Sequence, residues 1–325
     1  MEDILGIAKG ILVVGDAHIT SKKPSKRKEK NWMDVTLNKI KQIVEIAKKE
    51  DYIIIFLGDV FDTPVEESEI LKTQFIRILS QAPHTSYTNV GNHDIASDIL
   101  SDGDTLAMLS EIDKPLCAMR NNMDGGVFLL NGHRIGLGFT PYGMPIPNDV
   151  THLFDNVENV LWFTHHDVVF DGKKYPHMIQ PFEIKGCDAV FNGHIHDKKD
   201  FIQVGETCWM NYGSLTRMSI DCAQHQPVVV AVNPEAGGLI EYNIEHNIDA
   251  FDLTIRQIGD KKEDYFESKM GKISELIQSR KNNPIFSDDS QDTIEEFDRW
   301  ISEKKYSSDV KTLLMELALK SINNE

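Results

Sequence analysis

Residues 52–57, Tyr-Ile-Ile-Ile-Phe-Leu, form an unbroken apolar and aromatic run that stops at Gly58-Asp59. Such a run has no side to turn to water. It reads as a strand buried on both faces, which demands structure above and below it. The carboxylate that follows stands on a glycine turn at the strand's carboxyl end, where open α/β sheets gather their ligands. Asp59 is therefore the residue expected to bridge two metal ions.

The neighbouring segments repeat this layout. Residues 10–15 read as a short buried strand ending at Asp16-Ala-His18, and side chains two apart on extended backbone face the same way. Helical spacing of Val35, Ile40, Ile43, Val44 and Ala47 predicts a helix over 32–49, and Ile70, Leu71, Phe75, Ile78 and Leu79 predict another over 66–80. A strand over 86–90 ends at Gly91-Asn92-His93-Asp94. Strand, helix, strand with chemistry at each carboxyl end is the pattern of βαβ units.

After a helix over 105–111, short strands follow at 127–130, 134–139, 160–164, 188–191, 201–204, 207–211 and 228–232, read together as a second sheet packed on the first. Two of them end in histidine, at His165-His166 and at Asn192-Gly193-His194-Ile195-His196. Beyond residue 245 the pattern weakens. An amphipathic helix is expected over 263–280, and Thr293-Ile-Glu-Glu296 has the capping-box pattern that opens a helical hairpin over 293–321. This hairpin docks either onto its own domain or onto a partner's coiled coil. A main domain of 1–245 and a C-terminal extension of 246–325 are expected.

Composition narrows the function. No apolar run approaches the ~18–20 residues of a membrane span, and the first residues, Met-Glu-Asp-Ile-Leu, lack a signal-peptide layout. Four scattered cysteines without a Cys-x-x-Cys pair suit a reducing cytoplasm, where the protein is expected to act. A net charge of −17 argues against unaided binding to a polyanion, because that affinity comes from cations neutralising phosphates. Against it stand residues 21–30, with six basic side chains directly after His18. This loop is either plain solvated surface or a phosphate contact, with Lys26 and Arg27 as candidate contacts.

Asp16, His18, Asp59, Asn92, His165, His194 and His196 all lie at or just past expected strand ends. Oxygen and imidazole donors without thiolate suit Mn²⁺, Fe²⁺ or Zn²⁺, and a dinuclear centre makes use of so many. His166 rivals His165. His93, beside a ligand but not needed as one, is the expected proton donor, with Asp94 to orient it. Gly193 is expected to allow a tight turn.

The ordered set Asp-x-His, Gly-Asp-x-x-Asp, Gly-Asn-His-Asp, strand-end His and Gly-His-x-His over residues 16–196 resembles the calcineurin-like metallophosphoesterase family. The resemblance implies a four-layer α/β/β/α sandwich with a small, mostly helical C-terminal extension. It also implies a first ion on Asp16, His18, Asp59 and His196 and a second on Asp59, Asn92, His165 and His194. Gly58-Asp-Val-Phe-Asp62 and Tyr212-Gly-Ser-Leu-Thr-Arg217 are most similar to the nuclease subunit of SbcCD-type DNA repair and recombination complexes, phage-encoded relatives included. That similarity implies a Mn²⁺-dependent exo- and endonuclease acting on DNA, an SbcC-like coiled-coil ABC-type ATPase as partner, and a homodimer. Ser214 and Arg217 would then be substrate-side or structural. A stand-alone phosphatase or small-molecule phosphodiesterase is the enzymatic alternative, and a non-catalytic ATPase-binding scaffold the third.

Overall fold

The computed structural model describes residues 4–112, 115–172 and 178–252. The chain divides into two units, Met1–Arg256 and Gln257–Glu325, and all described residues belong to the first. The helices expected over 263–280 and 293–321 lie outside them.

The Tyr52 run forms β3 (Tyr52–Phe56), buried at every position. Its two faces go to different cores. Ile53, Ile55 and Leu57 pack between the sheets, while Tyr52, Ile54 and Phe56 face the helices. The neighbouring strand β2 (Gly10–Val14) divides in the same way, with Ile11 and Val13 inward and Leu12 and Val14 outward. This alternation is the period of two of an extended chain, and it explains why neither strand shows a polar face.

Helices α1 (Trp32–Glu50) and α2 (Glu69–Leu79) cover the outer side of this sheet. Helix α2 begins one residue after Ser68, whose hydroxyl accepts the Leu71 N–H; the expected start at 66 instead belongs to the preceding loop. Ile70, expected on the apolar face, is exposed. Strand β4 (Ser86–Thr88), the short helix α3 (Thr105–Ser110) and β5 (Leu116–Ala118) complete the first half.

The assignment of strands to sheets is less sequential than expected. Before β2 lies β1 (Ile4–Ala8), which crosses into the second sheet and pairs parallel with β6 (Gly125–Leu130). Conversely, β12 (Val228–Asn233) and β13 (Gly238–Asn243) return to the first sheet, where β12 runs antiparallel to β2. The remaining strands are β7 (His133–Thr140), β8 (Asn159–Thr164), β9 (Ala189–Asn192), β10 (Lys199–Val204) and β11 (Thr207–Asn211). The orders are β13-β12-β2-β3-β4-β5 and β1-β6-β7-β8-β9-β11-β10. Phe128, Leu137, Phe139, Phe163 and Phe191 fill the space between the sheets. On the far side of the second sheet, Trp162 and Trp209 pack under Val150, Phe154, Val168 and Ile184. Among the described residues this fourth layer is loop rather than helix.

One polar side chain ties α1 to the core of the fold. Lys39 is buried, and its Nζ donates to the Leu215 carbonyl at 2.7 Å. Burial first, then the Arg27 and Arg217 charges, lowers its pKa from 10.5 to about 7. Below pH 7 the ammonium is charged in both folded and unfolded chains, so the burial penalty is full. Between 7 and 10.5 the unfolded chain binds the extra proton, and stability rises with pH by up to about 1.4 kcal/mol per unit from this group. Urea unfolding of wild type and Lys39→Met from pH 7 to 9.5 should show the difference moving toward wild type at that slope. Parallel pH profiles would mean that Lys39 titrates normally.

Candidate metal centre

Strands β2, β3 and β4 run parallel in one sheet, and β8 and β9 run parallel in the other. The loops after their carboxyl ends meet across the gap between the sheets. Ala17 and His18 donate their backbone N–H groups to the Asp59 carbonyl at 3.1 and 2.9 Å, and Leu215 N–H donates to the Asp16 carbonyl at 2.9 Å. His18, Asp59 and His194 hold left-handed backbone, with φ of 43°, 48° and 73°. For non-glycine residues this costs about 1–3 kcal/mol each, and such strain collects at functional sites.

Two glycines let the loops close. A Cβ on Gly58, itself at φ 114°, would stand 2.6 Å from His165 Nδ1. On Gly193 it would stand 2.7 Å from the same atom and 2.9 Å from Asp16 Oδ1. The need at Gly193 is close approach; the left-handed turn expected there belongs to His194.

The donor atoms of the expected ligands converge in two groups, and a ring nitrogen of His93 also lies within 4.8 Å of donor atoms of His18 and Asp59. His18 Nε2 lies 3.0 Å from His196 Nε2 and 3.8 Å from Asp59 Oδ2, and His196 Nε2 lies 3.5 Å from Asp16 Oδ2. On the other side, His165 Nε2 lies 3.2 Å from both Asp59 Oδ2 and Asn92 Oδ1, and His194 Nδ1 lies 2.8 Å from that amide oxygen. Two ligands each ~2.1 Å from one ion stand roughly 3–3.5 Å apart, so these spacings fit. Asp59 Oδ2 faces both groups. Its Oδ1 is taken by the His93 N–H at 2.8 Å.

The electrostatics fit as well. Asp16 and Asp59 are buried carboxylates. Burial alone would lower the pKa of His165, but Asp59 and Asp16 outweigh it and raise the value to about 9. His18 is raised as well, with burial overcome by the nearby Asp62 carboxylate and by the Asp59 and Asp16 charges. Asp59 is held well below the carboxylate range: burial is opposed by His165, His18 and His93. This pocket favours positive charge, and divalent ions satisfy it by replacing protons on the histidines.

Each remaining expectation has a definite place. His165 joins the donor group; His166 does not. Its Nε2 bonds the Met144 carbonyl at 2.8 Å, and burial lowers its pKa to about 4. His93 sits beside the centre, its ring 4.8 Å from that of His18. Its Nδ1 donates to the Asp62 carbonyl at 2.7 Å, not to Asp94. The Asp94 carboxylate instead accepts the Phe61 and Gly91 N–H groups at 3.2 and 3.0 Å, staples the loops, and is pushed up to about 7 by burial and then by Asp59. The orienting role expected of Asp94 thus passes to Asp62. Its carboxylate also stands 3.2 Å from His18 Nδ1, a role that its motif position alone did not reveal.

The candidate substrate contacts fare differently. Arg27 is buried between Trp32 and Phe251, and it pairs with Glu29 and donates to the Arg217 carbonyl at 2.8 Å. Arg217 is buried too and donates to the Ala223 and Asn247 carbonyls. Ser214 is buried, with its hydroxyl on the Thr216 carbonyl at 3.1 Å. All three are internal ties rather than substrate contacts; of the four, Lys26 alone reaches the surface, and only in part. Residues 21–30 hold charges that in sequence looked like one exposed patch, because sequence cannot show Trp32 and Phe251 closing on Arg27.

The family model described as calcineurin-like phosphoesterase matches residues 10–198, which contain every donor named above. The chain belongs to the calcineurin-like phosphoesterase family. It is a metal-dependent hydrolase of phosphoester bonds. No curated protein matches the chain significantly. Two solved structures from Thermus thermophilus are similar. A hypothetical protein is 12% identical with a TM-score of 0.40, covering 73% of this chain and 100% of its own. A 5'-nucleotidase precursor is 11% identical with a TM-score of 0.37, covering 73% of this chain and 54% of its own. Neither similarity bears on the substrate. Among the described residues no helix is long and apolar enough to cross a membrane.

The two adjacent histidines give a direct check. His165→Ala should lose bound metal, measured by elemental analysis after equilibration with Mn²⁺, whereas His166→Ala should keep it and lose about 1 kcal/mol of stability with the Met144 bond. Equal metal loss in both variants would reverse the assignment.

Proposed function

We propose that this phosphoesterase is a DNA nuclease of the SbcD type, acting in repair or recombination with an SbcC-like ATPase. The observation that supports it most is the site's order of motifs combined with a half-open rim. His194, His196, Asp62 and His93 are each partly exposed, as a long polyanion would require. The basic loop leaves this rim directly after His18. Lys22 and Lys28 are paired with Glu67 and Asp249, while Lys23, Lys26 and Lys30 have no ion pair among the described residues. These three lysines are the candidate phosphate contacts.

Asp16, His18, Asp59 and His196 on one side, and Asp59, Asn92, His165 and His194 on the other, would hold two divalent ions, which would supply Lewis-acid activation of the phosphoester and of water. Mn²⁺ is the proposed metal, on donors that are all oxygen and imidazole. The chain's own part is positional. With Nδ1 donating to the Asp62 carbonyl, His93 in its imidazolium form would carry a second proton on Nε2, give it to the departing 3′ oxygen and be left neutral, which leaves 5′-phosphates. Asn92 adds a neutral oxygen. A cytoplasmic location and a homodimer belong to the same proposal.

The internal use of Arg27 and Arg217, with the net charge of −17, favours the second reading of a small-molecule phosphodiesterase or phosphatase. Mn²⁺-dependent nucleotide release from end-labelled linear duplex DNA, run beside an aryl phosphodiester, separates the two. The nuclease should cut DNA, and His93→Asn should abolish turnover while two ions remain bound. Cutting of the aryl diester alone, even with an SbcC-like ATPase present, would favour the second reading. Neutralising Lys23, Lys26 and Lys30 should flatten the salt dependence of DNA binding by about 2–3 in log–log slope. An unchanged slope would return the loop to plain solvation.

A further inference from the structure

The His194 ring is held from both ends. Its Nδ1 lies 2.8 Å from Asn92 Oδ1, on the side of the second donor group, and its Nε2 lies 2.9 Å from Asp167 Oδ1. Both ring nitrogens thus face acceptor oxygens; an ion at the second donor group would take the place of the proton on Nδ1, and the carboxylate at Nε2 then keeps the remaining proton on that nitrogen. The backbone of His194 is already fixed. Its N–H donates to both Asp16 carboxylate oxygens at 3.1 and 3.0 Å, and its φ is 73°. What is left open is the ring's rotation and tautomer. Tyr142, with its ring 5.7 Å away, and His165, with its ring edge-on at 5.2 Å, limit the rotation but supply no acceptor for Nε2.

We propose that Asp167 is the positioning residue of the second ion: it fixes His194 as the Nε2–H tautomer and so aims Nδ1 at the metal. Asp167 lies three residues past the end of β8, on the loop that carries His165. One loop therefore supplies a direct donor and, two positions later in the chain, a clamp for another. On the side of the first ion the Asp62 carboxylate stands 3.2 Å from His18 Nδ1 but is not aligned to hydrogen-bond it. A metal-ligating histidine whose far nitrogen is held by a carboxylate binds its ion about 10–100-fold more tightly than one without the partner.

Exposure decides which property of Asp167 matters. Its side chain is 49% exposed, against 22% for His194. A charge so wet is worth little as a charge. The hydrogen bond and the orientation it imposes carry the effect, so an amide in its place should preserve most of it.

The inference rests on the two-ion reading of the site, so wild type is the first measurement. Metal-free full-length wild type, Asp167→Ala and Asp167→Asn are titrated with Mn²⁺, reading bound ions per chain and both affinities. Wild type should bind two ions. Asp167→Ala should keep one affinity and weaken the other about 10–100-fold, while Asp167→Asn should weaken it less than about 10-fold. Two affinities within about twofold of wild type in Asp167→Ala would overturn the role of Asp167 and leave the dinuclear reading intact. Equal loss in both variants would overturn the hydrogen-bond argument. A wild type that binds fewer than two ions would overturn the dinuclear reading and this proposal with it. Should Asp167→Ala fail to fold, ¹⁵N spectra of the His194 ring in wild type loaded with diamagnetic Zn²⁺ decide: protonated Nε2 with unprotonated Nδ1 is the expected result, and protonated Nδ1 refutes the clamp.

Discussion

The carboxylate of Asp59 has to serve two directions at once, and the surrounding structure accommodates that demand. Oδ2 faces both donor groups while Oδ1 takes the His93 N–H. This division requires a left-handed residue one position after a glycine, at the end of a strand with no freedom to shift, because both its faces are packed. The Asp59 carbonyl then holds the loop of Asp16 and His18 by two N–H donors. A buried strand, a strained turn and a shared carboxylate are parts of one constraint. The rigid core supplies what the local backbone cannot hold alone.

Much of this was legible because burial and ligation leave different marks in sequence. The unbroken runs of β2 and β3 reveal double-sided burial, and polar residues placed directly after such runs reveal the donors. The distinction between His165 and His166 was less legible. Adjacent residues at a strand end point opposite ways, and the first to follow the run is not marked as inward by its own chemistry. In the structure His165 lies with the donor atoms of Asp59 and His194, while His166 bonds the Met144 carbonyl. The strand β1 was missed because its burial is mixed, and β12 was placed in the wrong sheet because sequence order does not encode a return across the sandwich.

Charged residues misled for a different reason. Arg27 and Arg217 sit in polar, turn-like stretches, where cations are ordinarily solvated. Their guanidinium groups nevertheless spend their donors on internal carbonyls and Glu29, and Arg27 lies against Trp32 and Phe251. Planar, weakly hydrated guanidinium tolerates this better than an ammonium does. Lys39, the ammonium in the same cluster, is lowered to about 7, and burial lowers Arg217 as well. Such a cluster forms only when segments far apart in the chain come together, and no local pattern announces it.

The donors come from both sheets: Asp16, His18, Asp59 and Asn92 from loops of the first, His165, His194 and His196 from loops of the second. An ion pair bound there is therefore a cross-link between two halves of the sandwich. Its free energy of binding adds to the docking of one sheet on the other, since a ligand that binds only the closed arrangement stabilises it by an amount that grows with the logarithm of its concentration above Kd. In a cell, metal supply would then set how firmly this fold stays shut as well as whether it can hydrolyse anything.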